Sequence, residues 1–225
     1  MDTILEPFFK KYEDLSSMTE KVFEKVKKEF PDCVKCKAEC SDCCYALFDL
    51  TLIEALYVNF YFHKKYKGEK KTEIIDKANR ADRKIYKLKK KAYKDFEAGK
   101  NETEILMGMA KEKVRCPLLN SNDRCDLYQN RPITCRLYGI PTSIGGIGHT
   151  CGMSAFEEGQ KYPTVSLDKI QTKLFAISDE LAQALNSKYS KLGEMIVPLS
   201  MALITEYDDE HLGLNGKDDE GGENA

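Results

Sequence analysis

Cysteine is the residue type in this chain with the greatest chemical potential. The 225 residues contain nine cysteines and no tryptophan. Five cysteines lie within twelve residues and four are spread over a later stretch: Cys33, Cys36, Cys40, Cys43 and Cys44, then Cys116, Cys125, Cys135 and Cys151. A two-residue spacer lets both sulfurs of a Cys-x-x-Cys pair face one metal. This pattern predicts a metal centre that draws thiolate ligands from distant segments.

Other uses of these cysteines are weaker explanations. A single cysteine is often a small buried hydrophobe, but five within twelve residues are improbable as core filling. The vicinal pair Cys43 and Cys44 would suit a dithiol switch, although an odd number of thiols cannot close completely into disulfides. All-thiolate ligation suits both zinc and an iron–sulfur cluster. Tandem Cys-x-x-Cys pairs favour zinc on generic grounds, and neither standard ferredoxin spacing is intact here.

A further set of residues follows the cysteine run in a characteristic order. The run itself closes with Cys40, Cys43 and Cys44. The later block is a cysteine and a tyrosine followed by Arg-Pro and Cys-Arg: Cys125, Tyr128, Arg131, Pro132, Cys135 and Arg136. Together they resemble the YkgJ-type cysteine-cluster family, whose hallmark is Cys-x-x-Cys-x-x-Cys-Cys followed by later cysteines. The chain departs from the hallmark because Cys36 lies four residues before Cys40 rather than three.

The resemblance implies a zinc- or iron-chelating domain over about residues 33–151, with Cys116 and Cys151 as the remaining family cysteines. It implies metal binding but no particular reaction. A similar cluster occurs in flagellin lysine N-methylases, where an iron–sulfur centre is associated with methyl transfer from S-adenosylmethionine. That analogy favours iron–sulfur over zinc. Arg131 and Arg136 are expected either beside the thiolates, where they would offset negative charge, or on the surface around Pro132.

The apolar periodicity predicts a mainly α fold in which helices enclose an irregular, cysteine-rich metal-binding centre with little or no β-sheet. Helices are expected over 5–30, 52–62, 72–97, 170–185 and shortly after Pro198. The first range is expected to form two helices or one bent helix, and Ser17 and Glu20 fit a capping box for the second part. Prolines and glycines between Cys116 and Gly152 exclude long elements there. The sequence predicts one helical domain over 1–206, with its cluster region at 33–151, and an acidic disordered tail over 207–225.

Charge is unevenly distributed along the chain. A net charge of -2 gives no uniform attraction to nucleic acid. Residues 64–100, however, contain 15 Lys or Arg against 6 Asp or Glu. The basic helix predicted at 72–97, with Tyr86 and Tyr93 among its lysines, is therefore a candidate surface for a protein partner. Nucleic acid is the less expected partner, and no membrane binding is expected.

The location and chemistry of the protein follow from what the sequence lacks. The first residues have neither the basic start nor the apolar run of a signal peptide, and no apolar stretch reaches the roughly 18 residues that cross a bilayer. We therefore expect a cytoplasmic protein whose cysteines persist as thiols or metal ligands. No hydrolase or nucleotidase motif is present, so no catalytic or organic-cofactor residue is assigned.

Three functions are consistent with the sequence. The first is a metal-binding protein that holds an iron–sulfur cluster or zinc through the nine cysteines, and of these two centres we favour iron–sulfur. The second is an iron–sulfur-dependent lysine N-methylase that uses S-adenosylmethionine. The third is a partner or nucleic-acid adaptor that uses the basic helix, with a structural metal.

Overall fold

The computed structural model describes residues 2–37 and 40–214, and it is mainly helical, with 57% helix and 9% strand. The helices are α1 Asp2–Glu29, α2 Leu52–Lys65, α3 Gly68–Glu97, α4 Glu102–Lys111, α5 Ile133–Leu137, α6 Leu167–Ala184 and α7 Leu199–Ile204. The strands are β1 Asp49–Thr51, β2 Thr142–Ile144, β3 Ile147–His149, β4 Val165–Ser166 and β5 Ile196–Pro198. The fold class predicted from the sequence is confirmed.

The first segment of the chain forms one helix, α1, so of the two predicted alternatives the pair of helices is wrong. Ser17 and Glu20 lie inside this helix, so the predicted capping box is wrong. Thr19 is buried, and its hydroxyl donates to the Ser16 carbonyl at 2.7 Å. The helix is therefore continuous and packed at the position where two separate helices would have met. The helix ends at Glu29, shortly before Pro31, as the sequence predicts.

Helix α2 forms the centre of the hydrophobic core, and α1 packs against it through aromatic rings. The Phe9 and Tyr57 rings meet edge-on at 5.2 Å, and the Tyr12 and Tyr57 centroids are 4.6 Å apart. Ser178 of α6 accepts a hydrogen bond from the backbone N–H of Ile53 at 3.2 Å. The amino-terminal end of α2 is thus fixed by both neighbouring helices, which explains why its apolar run shows no polar face.

Helix α3 is buried along only the first half of its length. Ile74, Ala78 and Ala81 are buried, and this half packs against α7. The second half extends beyond the core and is covered only in part by α4, which has no buried residue of its own. Gly99, with φ of 77°, makes the turn between α3 and α4. The long amphipathic helix is confirmed, but its outer half remains exposed.

Two small sheets connect the loops to the helices. Strands β1 and β5 pair antiparallel, with Leu50 opposite Val197. In the second sheet, β2 lies between β3, which is antiparallel to it, and β4, which is parallel. The second sheet lies within the long segment between α4 and α6, where α5 is the one α-helix, and β2 packs against α6.

The residues after α7 differ from the predicted tail in their first part. Tyr207 and Leu212 are buried in the core, and Leu214 forms an isolated β-bridge with Ser187. These apolar side chains attach 207–214 to the body of the protein despite three acidic neighbours. Residues 215–225, the rest of the predicted tail, lie outside the described residues. No helix within 2–37 and 40–214 combines the length and apolar character needed to span a bilayer.

Candidate metal centre

The cysteines reach one region of the molecule from five separate segments. The loop after α1 carries Cys33, Cys36 and Cys40, and the following 3-10 turn, Asp42–Tyr45, carries Cys43 and Cys44. Backbone hydrogen bonds then join this turn to the segment after α4: the Cys116 N–H donates to the Cys44 carbonyl at 2.7 Å. The segment that carries Cys116 therefore returns to the first cysteine run through a backbone hydrogen bond, as the sequence predicted for the later loops.

Most of the thiols line one cavity of about 780 Å³. The cysteines in its wall are Cys36, Cys40, Cys43, Cys44, Cys116, Cys125 and Cys135. Cys151 lies beside the cavity, where it packs with Cys36, Cys40 and Gly139. Cys33 is in neither set, although its carbonyl accepts a hydrogen bond from the Ala155 N–H at 2.9 Å. Eight of the nine predicted site residues are thus brought together, and Cys33 is not.

Five of these thiols form a closely coupled group, which we call the inner thiols: Cys43, Cys44, Cys116, Cys125 and Cys135. A hydrogen bond with Cys116 raises the pKa of Cys44 to about 12, and a hydrogen bond with Cys44 raises the pKa of Cys43 far above its usual value. Burial, followed by the charge of Cys43, raises the pKa of Cys135. Thiols with such pKa values are protonated at neutral pH, so metal binding would release protons.

The remaining three thiols form an outer group, made of Cys36, Cys40 and Cys151. The Cys36 thiol donates to the Tyr138 carbonyl at 3.4 Å, and burial together with Cys40 and Cys151 raises its pKa to about 12. The Cys151 thiol donates to Oδ2 of Asp42 at 3.5 Å. Asp42 therefore lies between the two groups, because its own neighbour in the chain is Cys43.

Asp42 is a site residue that the sequence reasoning missed. Its carboxylate accepts hydrogen bonds from the Tyr138 hydroxyl and from Lys113 Nζ, both at 3.1 Å. Burial opposes ionisation of Asp42, but these hydrogen bonds and that of Cys151 outweigh it and lower the pKa of the carboxyl group. The one available signal was its position between Cys40 and Cys43, because Tyr138 and Lys113 are distant in sequence.

The two arginines of the later block have different roles. Burial raises the pKa of Cys125 and of Cys135, and the positive charge of Arg131 opposes both shifts. Arg131 also stacks its guanidinium 3.9 Å above the Tyr128 ring. Arg136 is buried, pairs with Glu20 of α1 and donates to the Gln129 carbonyl at 2.6 Å, and Arg131 also reaches Glu20 at 3.5 Å. Of the two, Arg131 is the one whose charge acts to lower the pKa of Cys125 and Cys135.

Histidine contributes little to this region. His149 lies in the exposed strand β3 and is absent from the lining of the cavity. The glycine-rich hairpin that contains it is likewise exposed. The centre is therefore built from sulfur donors, with Asp42 as the neighbouring carboxylate.

The thiol donors suit a soft metal. Their positions in this structure, however, do not form a ready site for a single metal ion. Thiolates are preferred ligands of zinc and of iron in iron–sulfur clusters. Within residues 2–37 and 40–214, however, no three or more His, Cys, Asp or Glu side chains are placed so that they could hold a metal ion. Seven thiols line the cavity, and among them Cys44 is hydrogen-bonded to both Cys43 and Cys116. A centre bound here must either draw the side chains inward or extend across the cavity.

Comparison with known proteins agrees with the cysteine pattern. No curated protein and no solved structure matches the chain. A family model does match, over residues 35–152, and its description is "CxxCxxCC: putative zinc- or iron-chelating domain". The match begins after Cys33 and includes Cys36, in agreement with the lining of the cavity. Because the match covers more than half of the 225 residues, the chain belongs to the CxxCxxCC family of zinc- or iron-chelating domains.

Proposed function

We propose that this protein holds an iron–sulfur cluster, with ligands drawn from the inner thiols and the outer group serving as a second set of donors. The sequence predicted all nine cysteines as ligands. The proposal keeps eight of them and leaves out Cys33, since that residue lies outside both the cavity lining and the family match. When bound by the protein, such a cluster would supply one-electron redox chemistry.

The number of thiols that line one large cavity is the observation that supports iron–sulfur over zinc. A structural zinc ion needs four donors at about 2.0–2.3 Å from one point. Seven thiols line a cavity of about 780 Å³, which is more donors than one zinc ion uses and leaves room for a polynuclear centre. The cavity and the methylase analogy thus both favour iron–sulfur, whereas the Cys-x-x-Cys spacing favours zinc.

The side chains around the cavity suit an anionic centre. Thiolates bound to iron leave a net negative charge, which nearby cations stabilise. The lining contains six Lys or Arg and three Asp or Glu: Lys27, Lys37, Arg115, Arg124, Arg131 and Arg136, against Glu20, Glu24 and Asp123. The excess of three positive charges supports a centre that carries negative charge of its own.

Anaerobic purification tests this proposal. We expect brown protein that absorbs broadly near about 400 nm and contains both iron and acid-labile sulfide. Cys125→Ser should lose most of that absorbance, whereas Cys33→Ser should retain it. The contrary result is a colourless protein with stoichiometric zinc, which would assign the domain to zinc.

A second candidate function is lysine N-methylation. A lysine N-methylase rests on the family analogy, and S-adenosylmethionine binding followed by label transfer to a lysine peptide would test it. We also propose a cytoplasmic location. All nine cysteines are free thiols in the structure, and thiols persist in reducing compartments.

A further inference from the structure

The outer half of α3 carries a line of cations that face away from the protein. Arg83, Lys87, Lys90 and Lys94 are separated by four, three and four residues, so they share one face of the helix. The line, which we call the cation stripe, is about 16 Å long at 1.5 Å per residue. All four residues are exposed. The partly buried residues Ile85, Leu88 and Ala92 lie on the opposite face.

The cation stripe has no anionic partner within the described part of the chain. Other lysines of α3 are used internally: Lys89 pairs with Asp49 at 2.7 Å, and Lys84 donates to the Lys113 carbonyl at 2.8 Å. No described residue forms an ion pair with the four members of the stripe. From residue 83 to residue 94 the sequence contains seven Lys or Arg and no Asp or Glu. The positive potential of this face is therefore not neutralised by its neighbours.

Exposed aromatic rings border the same stripe. Tyr86 and Tyr93 are seven residues, or about two turns, apart on one face of the helix, and are 63% and 62% exposed. Lys90 lies 5.9 Å from the centroid of the Tyr86 ring. Proteins that bind single-stranded nucleic acid without sequence preference place cations along the phosphate backbone and stack aromatic side chains on the bases. The outer half of α3 carries both kinds of side chain.

We propose that the outer half of α3 binds single-stranded nucleic acid, with the cation stripe on the phosphates and the two tyrosines stacked on bases. This surface goes beyond the metal centre and does not depend on it. The sequence alone disfavoured nucleic acid because the net charge is -2 and the helix seam indicated packing. The structure changes that balance, because Ala81 is the last buried residue of α3 and the rest of the helix is exposed or only partly buried.

Fluorescence anisotropy with a labelled uridine oligomer of about 15 nucleotides tests the proposal. For four phosphate contacts, log K should fall with log salt at a slope of about -2.8 between about 50 and 200 mM. Lys87→Gln combined with Lys94→Gln should halve that slope to about -1.4. The matched control, Lys21→Gln combined with Lys25→Gln on the exposed face of α1, should leave it unchanged.

The tyrosines separate nucleic acid from other polyanions. Tyr86→Ala with Tyr93→Ala should weaken oligomer binding about fivefold or more, with no change in heparin binding or in circular dichroism. The proposal is overturned if the oligomer fails to bind at low salt, if the lysine and control variants bind alike, or if the tyrosine variant binds as the unaltered chain does. Binding to anionic lipid vesicles with none to the oligomer would instead assign the stripe to membranes.

Discussion

At the scale of single residues, the candidate centre depends on close packing between a glycine and a thiol. Gly139 has a φ of 105°, in the region that side chains rarely adopt. A Cβ atom added there would lie 2.1 Å from Cys36 Sγ, and Sγ of Cys36 is held by the Tyr138 carbonyl. Glycine is therefore required at this position by both the backbone and the neighbouring sulfur.

We expect Gly139→Ala to lower both metal content and stability. The added methyl group must displace Cys36, so unfolding should become easier by about 1–3 kcal/mol beyond the cost of the backbone strain alone. The measurements are iron and zinc per chain and the unfolding midpoint. Gly159→Ala is the matched control, because Gly159 has a φ of 82° but nothing within 4 Å of the added atom. Equal losses in the two variants would contradict a specific role for the contact with Cys36.

At the scale of elements, one buried carboxylate joins three helices. Glu54 in the first turn of α2 is 3% exposed. Its Oε1 accepts a hydrogen bond from the Ile133 N–H of α5 at 3.0 Å and a longer one from the Tyr12 hydroxyl of α1 at 3.4 Å. Thr51 and Glu54 have the spacing of a capping box, but the box is formed on one side only. The Thr51 hydroxyl is buried without a hydrogen-bond partner among the described residues, while its backbone N–H bonds to Glu54.

This arrangement predicts a pH dependence of stability. Burial raises the pKa of Glu54 to about 7, above its ordinary value of 4.5. The folded protein therefore holds the proton more tightly than the unfolded chain. The resulting stabilisation is complete below about pH 4.5 and is lost as pH rises through about 7. The change is on the order of 3 kcal/mol. Chemical denaturation at a series of pH values measures it.

Glu54→Gln should remove that slope while keeping an oxygen for the Ile133 N–H. Glu6→Gln, at an exposed position of α1, should keep the slope and serves as the control. If both variants lose stability with pH as the unaltered chain does, the titration arises from another group.

At the scale of the whole molecule, the metal centre should contribute to folding. The segment from Cys116 to Cys151 contains one five-residue helix and short strands, so its order depends on contacts with the rest of the chain. A ligand that binds only the folded state at 100 times its dissociation constant adds about 2.7 kcal/mol. For a chain of this size that corresponds to a melting temperature about 5–10 °C higher.

We therefore expect removal of the bound metal by a chelator, under reducing anaerobic conditions, to lower the melting temperature by about 5–10 °C. Hydrogen exchange should accelerate first in the segments that carry Cys125 and Cys135 and last in α2, which lies at the centre of the core. Cys33→Ser should not alter the shift. An unchanged melting temperature after removal would mean that apolar burial alone holds these segments.

Helical periodicity is local, so the longer helices could be predicted from the sequence: the buried run of α2 and the amphipathic pattern of α3 both appear in the structure. The sequence also determined the chemistry of the centre, because the order Cys40, Cys43, Cys44 and the later Arg-Pro-Cys block identify the family. Only the tertiary structure separated Cys33 from the other thiols, placed Asp42 between the two thiol groups, and left the outer half of α3 uncovered. These features depend on contacts between residues far apart in the chain, such as Cys36 with Tyr138, and spacing along a sequence carries no information about which distant surfaces meet.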